Sequence, residues 1–175
     1  MRSIALVALA LTALGFAVAA NGWLDFRPVR RILWLGDSYT YSNNLPAMVA
    51  EMADSAGSEV RYDITMKAFA NASLEDHWRS AKTQALLAAS DWDRVLVQPE
   101  STFRALEAGS PFFAYGARLL GGGRPRPAIV VSWTASEALY EDDPISRPEH
   151  FQNIERNHKG LAMKTGAELI DAAQV

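Results

Sequence analysis

Three short runs, "RILWLG" (31–36), "DRVLVQ" (93–98) and "AIVVSW" (128–133), each carry an apolar core with no polar break. A strand with one wet face alternates polar and apolar residues, whereas an unbroken apolar strand has to be covered on both faces. That requirement selects a sheet sandwiched between helices. The intervening segments supply them. "LPAMVAEMADSAG" (45–57) places Leu45, Met48, Val49, Met52 and Ala53 at helical spacing, with Asn43 and Asn44 as candidate N-caps and Gly57 as a stop. "SLEDHWRSAKTQALLAA" (73–89) reads as one or two helices opened by the capping-box pair Ser73 and Asp76. "PFFAYGARLLGGG" (111–123) ends at a triple glycine, and "PEHFQNIERNHKGLAMKTG" (148–166) closes at Gly166. "VRYDITM" (60–66) alternates as a strand, and "AELIDAAQV" (167–175) begins a last one. The alternation predicts an α/β fold: a flavodoxin-like three-layer α/β/α sandwich around a mostly parallel sheet of about five strands.

Residues 1–20 stand apart from that pattern. Arg2 precedes an apolar stretch from Ile4 to Val18, and Ala17-Val18-Ala19 offers a small-x-small cleavage site. The reading is a signal peptide cleaved near Ala19/Ala20 and a secreted or periplasmic product with no stable membrane anchor, because the stretch is short for a span. Residues 21–30, with Pro28, form a lead-in, and 31–175 form one domain. The 175 residues include no Cys, so neither disulfides nor a lipid-bearing cysteine is available. No Cys and no paired His at ligand spacing means that no metal site is expected. A net charge of −3 with dispersed basic residues argues against nucleic acid as a partner. A sandwich of this type normally ends with a helix over its last strand. Val175 falls at or just past that strand, so the expectation is a chain truncated before its last helix.

Ligands of open α/β sheets bind at the carboxyl ends of the strands, where strand order reverses. Three loops there have unusual content: Gly36-Asp37-Ser38-Tyr39-Thr40, Ala70-Asn71-Ala72-Ser73 and Gln98-Pro99-Glu100-Ser101. The first admits three readings: an ordinary strand-to-helix turn, a hydroxyl-rich phosphate cradle, or the seat of a nucleophilic serine. It is not the Gly-x-Ser-x-Gly elbow of α/β-hydrolases, since Thr40 takes the last glycine position.

"WLGDSYTYSNNLP" resembles the first block of the SGNH, or GDSL-like, hydrolases, and most closely a largely uncharacterised bacterial branch of that superfamily. "ANASLEDHW" stands where the family has its oxyanion-hole glycine loop, and "WDRVLVQPES" where a strand delivers the oxyanion-hole amide. The resemblance runs from Arg31 to Val175. It implies Ser38 as nucleophile, the Asn71 N–H and the Gln98 side chain as oxyanion donors, and Asp37, Tyr39, Glu100 and Ser101 as substrate-binding residues. It implies no cofactor. The departures are specific: Ala70 or Asn71 replaces the glycine, no plain asparagine occupies the third block, and the Asp-x-x-His block carrying the family's base is not in the sequence. His77 reads as a packing or surface residue on the helix after the second loop, and His150 and His158 as solvated residues of the long helix. The implied activity is that of an exported serine esterase acting on an acylated carbohydrate or another small-molecule ester, weak or silent in a chain without that block. Two other readings remain: a non-catalytic, carbohydrate-binding descendant of the fold, and a flavodoxin-like module binding flavin or phosphate.

Overall fold

The computed structural model describes residues 25–89, 91–102, 104–122, 126–136, 140–141 and 145–172. Five strands, β1 (Val29–Gly36), β2 (Arg61–Ala68), β3 (Arg94–Val97), β4 (Ala128–Val131) and β5 (Glu168–Asp171), form one sheet in the order β2-β1-β3-β4-β5. Every pairing is parallel, so the α/β architecture expected from the alternation is the observed one. β1 begins inside the segment read as a lead-in, because Val29 and Arg30 pair with Arg61 and Tyr62. The signal-peptide reading and the chain terminus lie outside the described residues.

Among the described residues, six helices accompany the strands: α1 (Ser38–Tyr41), α2 (Leu45–Ser55), α3 (Leu74–Arg79), α4 (Ala81–Ala88), α5 (Pro111–Leu120) and α6 (Arg147–Thr165). The period of two along each strand divides the core into two layers. Leu33, Leu35, Val95, Val97 and Ile129 pack with Leu74, Leu87, Phe112, Leu119 and Leu161 of α3 to α6. Their neighbours Ile32, Trp34, Leu96 and Val130 face the other way and meet Leu45 of α2 together with Ile64 and Ile170. Burial of each such side chain contributes about 1.5–3 kcal/mol. The central strands are apolar at successive positions because both layers claim them.

Local signals set the helix boundaries. Ser73 Oγ accepts from the Asp76 N–H at 3.2 Å and Asp76 Oδ2 accepts from the Ser73 N–H at 3.0 Å, a complete capping box for α3. Ser80 then turns extended (φ −73°, ψ 115°) and caps α4 by accepting from the Thr83 N–H, which divides the 73–89 segment into two helices. Asn44 stands at the N-cap of α2 in the left-handed conformation (φ 48°), and its side chain makes no capping bond. Ser73→Ala is expected to lower stability by about 1 kcal/mol. Urea unfolding reads this directly, and an unshifted midpoint would deny the cap any energetic weight.

Candidate active site

Strand order reverses between β1 and β3: one crossover leads from β1 outward to β2, the other from β3 outward to β4. The loops leaving these two strands are therefore splayed apart, which opens a crevice at the carboxyl end of the sheet. Ser38 follows the carboxyl end of β1 half-exposed, as the first residue of α1. Asp37 is its N-cap. The Asp37 carboxylate accepts from the Tyr39 N–H at 2.9 Å, and its carbonyl accepts from the Thr40 and Tyr41 N–H groups at 3.1 and 3.3 Å. Burial pushes the Asp37 carboxyl above the usual carboxylate range, opposed by the hydrogen bond from the Tyr39 backbone. The Asp37 side chain is thus occupied in holding the turn that presents Ser38.

Side chains from the other two loops tie the crevice together. Gln98 is 1 % exposed. Its Oε1 accepts from the Asp37 N–H at 3.2 Å and from the Thr40 hydroxyl at 2.9 Å. Its Nε2 donates to the Pro99 carbonyl at 2.6 Å and to Ser132 Oγ at 3.1 Å. The oxyanion role expected for this amide gives way to a tether, because both of its hydrogens are committed inside the protein. Glu100 reaches the second loop, where its Oε2 accepts from the Leu74 N–H at 3.3 Å. Its carboxyl is pushed up by burial and by the negative charge of Asp37 and Asp76. His77, expected as a packing or surface residue, is buried and donates from Nε2 to the Gly36 carbonyl at 3.0 Å. Burial lowers its pKa, which favours the neutral ring. Asn71 lies exposed between β2 and α3 with φ 54°, a left-handed conformation that asparagine tolerates better than most side chains.

Two pairings at this end of the sheet go beyond the individual residues expected there. Tyr39 stacks on Trp133, with ring centroids 5.0 Å apart and planes 7° from parallel, so an aromatic pair stands next to Ser38 in the chain. Burial, Asp37 and Tyr140 raise the pKa of the Tyr39 phenol. The second pairing corrects the reading of α6. His150 and His158, expected in solvent, are 2 % and 0 % exposed. His150 Nε2 lies 3.1 Å from Ser101 Oγ, and its Nδ1 lies 2.5 Å from the Tyr140 hydroxyl. His158 donates from Nδ1 to the Ile154 carbonyl one turn back.

Among the described residues, no group of three or more acidic or histidine side chains is arranged to hold a metal ion, and no helix is long and apolar enough to cross a membrane. A cavity of about 330 Å³ opens on the α2 side of the sheet, lined by Ile32, Trp34, Ile64 and Leu96; Ser38 does not line it.

No protein-family model matches the sequence, and no curated protein matches it. Solved structures do match. An acetyl xylan esterase variant from Geobacillus stearothermophilus superposes with a TM-score of 0.63 at 15% identity, over 84% of this chain and 78% of that one. A lipase/acylhydrolase from Enterococcus faecalis gives 0.58 at 15% identity over 81% and 75% of the two chains. AlinE4, an SGNH-hydrolase family esterase, gives 0.58 at 16% identity over 83% and 77%. Parallel strand order, two-sided core and crevice at the β1/β3 reversal together give this chain the α/β fold of the SGNH hydrolases.

Proposed function

We propose that the protein is an exported acyl-ester hydrolase in which Ser38 is the nucleophile and the substrate is an acylated carbohydrate or another small ester. The observation that supports this reading is the set of bonds holding the turn that bears Ser38 and its surroundings: Gln98 binds the Asp37 N–H, His77 of α3 binds the Gly36 carbonyl, and Glu100 links the third loop to the start of α3. A turn held from several sides keeps a reacting hydroxyl in one place, and such positioning is a large part of catalysis in acyl transfer. The Asn71 N–H is the oxyanion donor in this reading, while Gln98 supports the floor. The stacked Tyr39–Trp133 pair supplies an apolar wall against which a sugar ring or acyl chain can lie.

The test is turnover of a panel of short-chain acyl esters and acetylated sugars, with identification of the released acid. Ser38→Ala is expected to lower turnover at least about tenfold while the melting temperature stays put. A chain that binds sugars and leaves every ester intact would replace this reading with the non-catalytic one. A yellow or phosphate-bearing protein on purification would favour the flavodoxin-like reading instead.

A further inference from the structure

The contacts of His150 have the form of a nucleophile, a base and an orienting group. Nucleophilic serines are recognised by a ring nitrogen within hydrogen-bond reach of the hydroxyl and by a third group that fixes the ring from its other nitrogen. Ser101 Oγ, His150 Nε2 and Nδ1, and the Tyr140 hydroxyl form that line at 3.1 and 2.5 Å. Its members come from separate places: Ser101 from the loop after β3, Tyr140 from the chain between β4 and α6, and His150 from the first turn of α6. His150 is 2 % exposed and Tyr140 8 %, while Ser101 is half-exposed. Ser101 is therefore the most exposed member of the line.

We propose that Ser101, with His150 as its base and Tyr140 as the group that orients the imidazole, is a second acyl acceptor of this protein, distinct from Ser38 and directed at small reactive esters. The proposal takes its substrate class from the hydrolase reading and its chemistry from the Ser101–His150 contact. In the reactive tautomer, His150 Nδ1–H donates to the Tyr140 oxygen and Nε2 accepts from the Ser101 hydroxyl. Ser101 Oγ forms a bond to the acyl carbon as its proton passes to Nε2. The tetrahedral adduct then collapses, the bond from carbon to the alcohol oxygen breaks, and that oxygen leaves with the proton from Nε2. Water reverses the sequence: it attacks the acyl carbon, gives its proton to Nε2, and frees the carboxylic acid as Ser101 recovers its own. His150 is closed in, so water reaches the imidazole slowly. Capture of an acyl or phosphonyl group is thus the main observable.

The experiment treats the full chain with diisopropyl fluorophosphate and maps the modified serines by peptide mass spectrometry. Ser38→Ala is expected to keep the adduct on Ser101. Tyr140→Phe removes one hydroxyl and leaves the imidazole in place; it is expected to slow labelling of Ser101 roughly tenfold, and His150→Gln by about 10²-fold or more. Both effects are expected with Ser38 labelling unchanged. Should His150→Gln fail to fold, Tyr140→Phe carries the decision alone. An unlabelled Ser101 in folded Ser38→Ala protein overturns the proposal, as does a Ser101 label whose rate ignores Tyr140→Phe. Failure of the Ser38 reading looks different: the adduct at position 38 is missing while that at 101 persists.

Discussion

Gly36→Ala is expected to lower stability by about 3 kcal/mol or more and, on the proposed function, to abolish ester turnover in whatever protein remains folded. Gly36 ends β1, and a Cβ built on it would lie 2.1 Å from Thr40 Oγ1, 2.8 Å from Thr40 Cβ and 3.0 Å from Gln98 Oε1. Neither neighbour has room to yield, since Thr40 is 0 % and Gln98 1 % exposed. Turning Thr40 away breaks its hydrogen bond to Gln98, and moving Gln98 disturbs its bonds to Asp37, Pro99 and Ser132. Overpacking and a broken buried hydrogen bond thus act together, each worth about 1–3 kcal/mol. On the proposed function, turnover falls with stability, because the displaced atoms belong to the turn that carries Ser38. The glycine is needed here for close approach, not for an unusual φ. A coupling measurement isolates the cause: in a Thr40→Gly background the same substitution is expected to cost about 2 kcal/mol less, the mark of two residues competing for one space. Equal costs in both backgrounds would place the strain elsewhere.

The fold was legible because burial wrote itself into residue type. Unbroken runs such as Ile32–Leu35 and Ala128–Val131 report strands covered on both faces, and the partly exposed edge strand β2 reports its position by alternating. Helix ends were legible where a side chain does the capping, as at Ser73, and less so at Asn44, where backbone conformation alone marks the cap. The site was legible as three loops and not as a set of contacts. Whether Gln98 offers its amide to a ligand or to the protein depends on Ser132 and Pro99, and only the fold brings Ser132 within reach. The histidines of α6 were misread because the helix is polar in composition. Their spacing carried the answer: His150, Ile154, His158 and Leu161 recur at intervals of four, four and three, the stripe of a buried helix face. The Ser101–His150–Tyr140 line had no local signal, since its members meet only through the crossover from β4 to α6.

Burial of His158 leads to a sizeable effect of acid on stability. The imidazole donates from Nδ1 to the Ile154 carbonyl, its Nε2 is buried without a partner, and the Phe112 ring lies 6.0 Å away, centroid to centroid. Burial holds its pKa down at about 4, against an ordinary value of 6.5. Between these two values the unfolded chain binds a proton at this residue and the folded chain does not, so lowering the pH pulls the equilibrium toward unfolding. The stabilisation is intact above about pH 6.5 and is lost progressively as the pH falls toward about 4, amounting to about 3 kcal/mol over the interval. His77, depressed in the same direction, adds to the effect. Depressed carboxylates such as Asp76 and Asp93 act at lower pH, so they do not mimic it. His158→Leu fills a similar volume and cannot take up a proton, while the Ile154 carbonyl keeps its helical backbone bond. Urea unfolding from pH 7.5 to 4.5 is expected to show the parent losing roughly 2–3 kcal/mol more than His158→Leu. Parallel losses in the two proteins would mean that His158 takes its proton as readily in the folded chain as in the unfolded one.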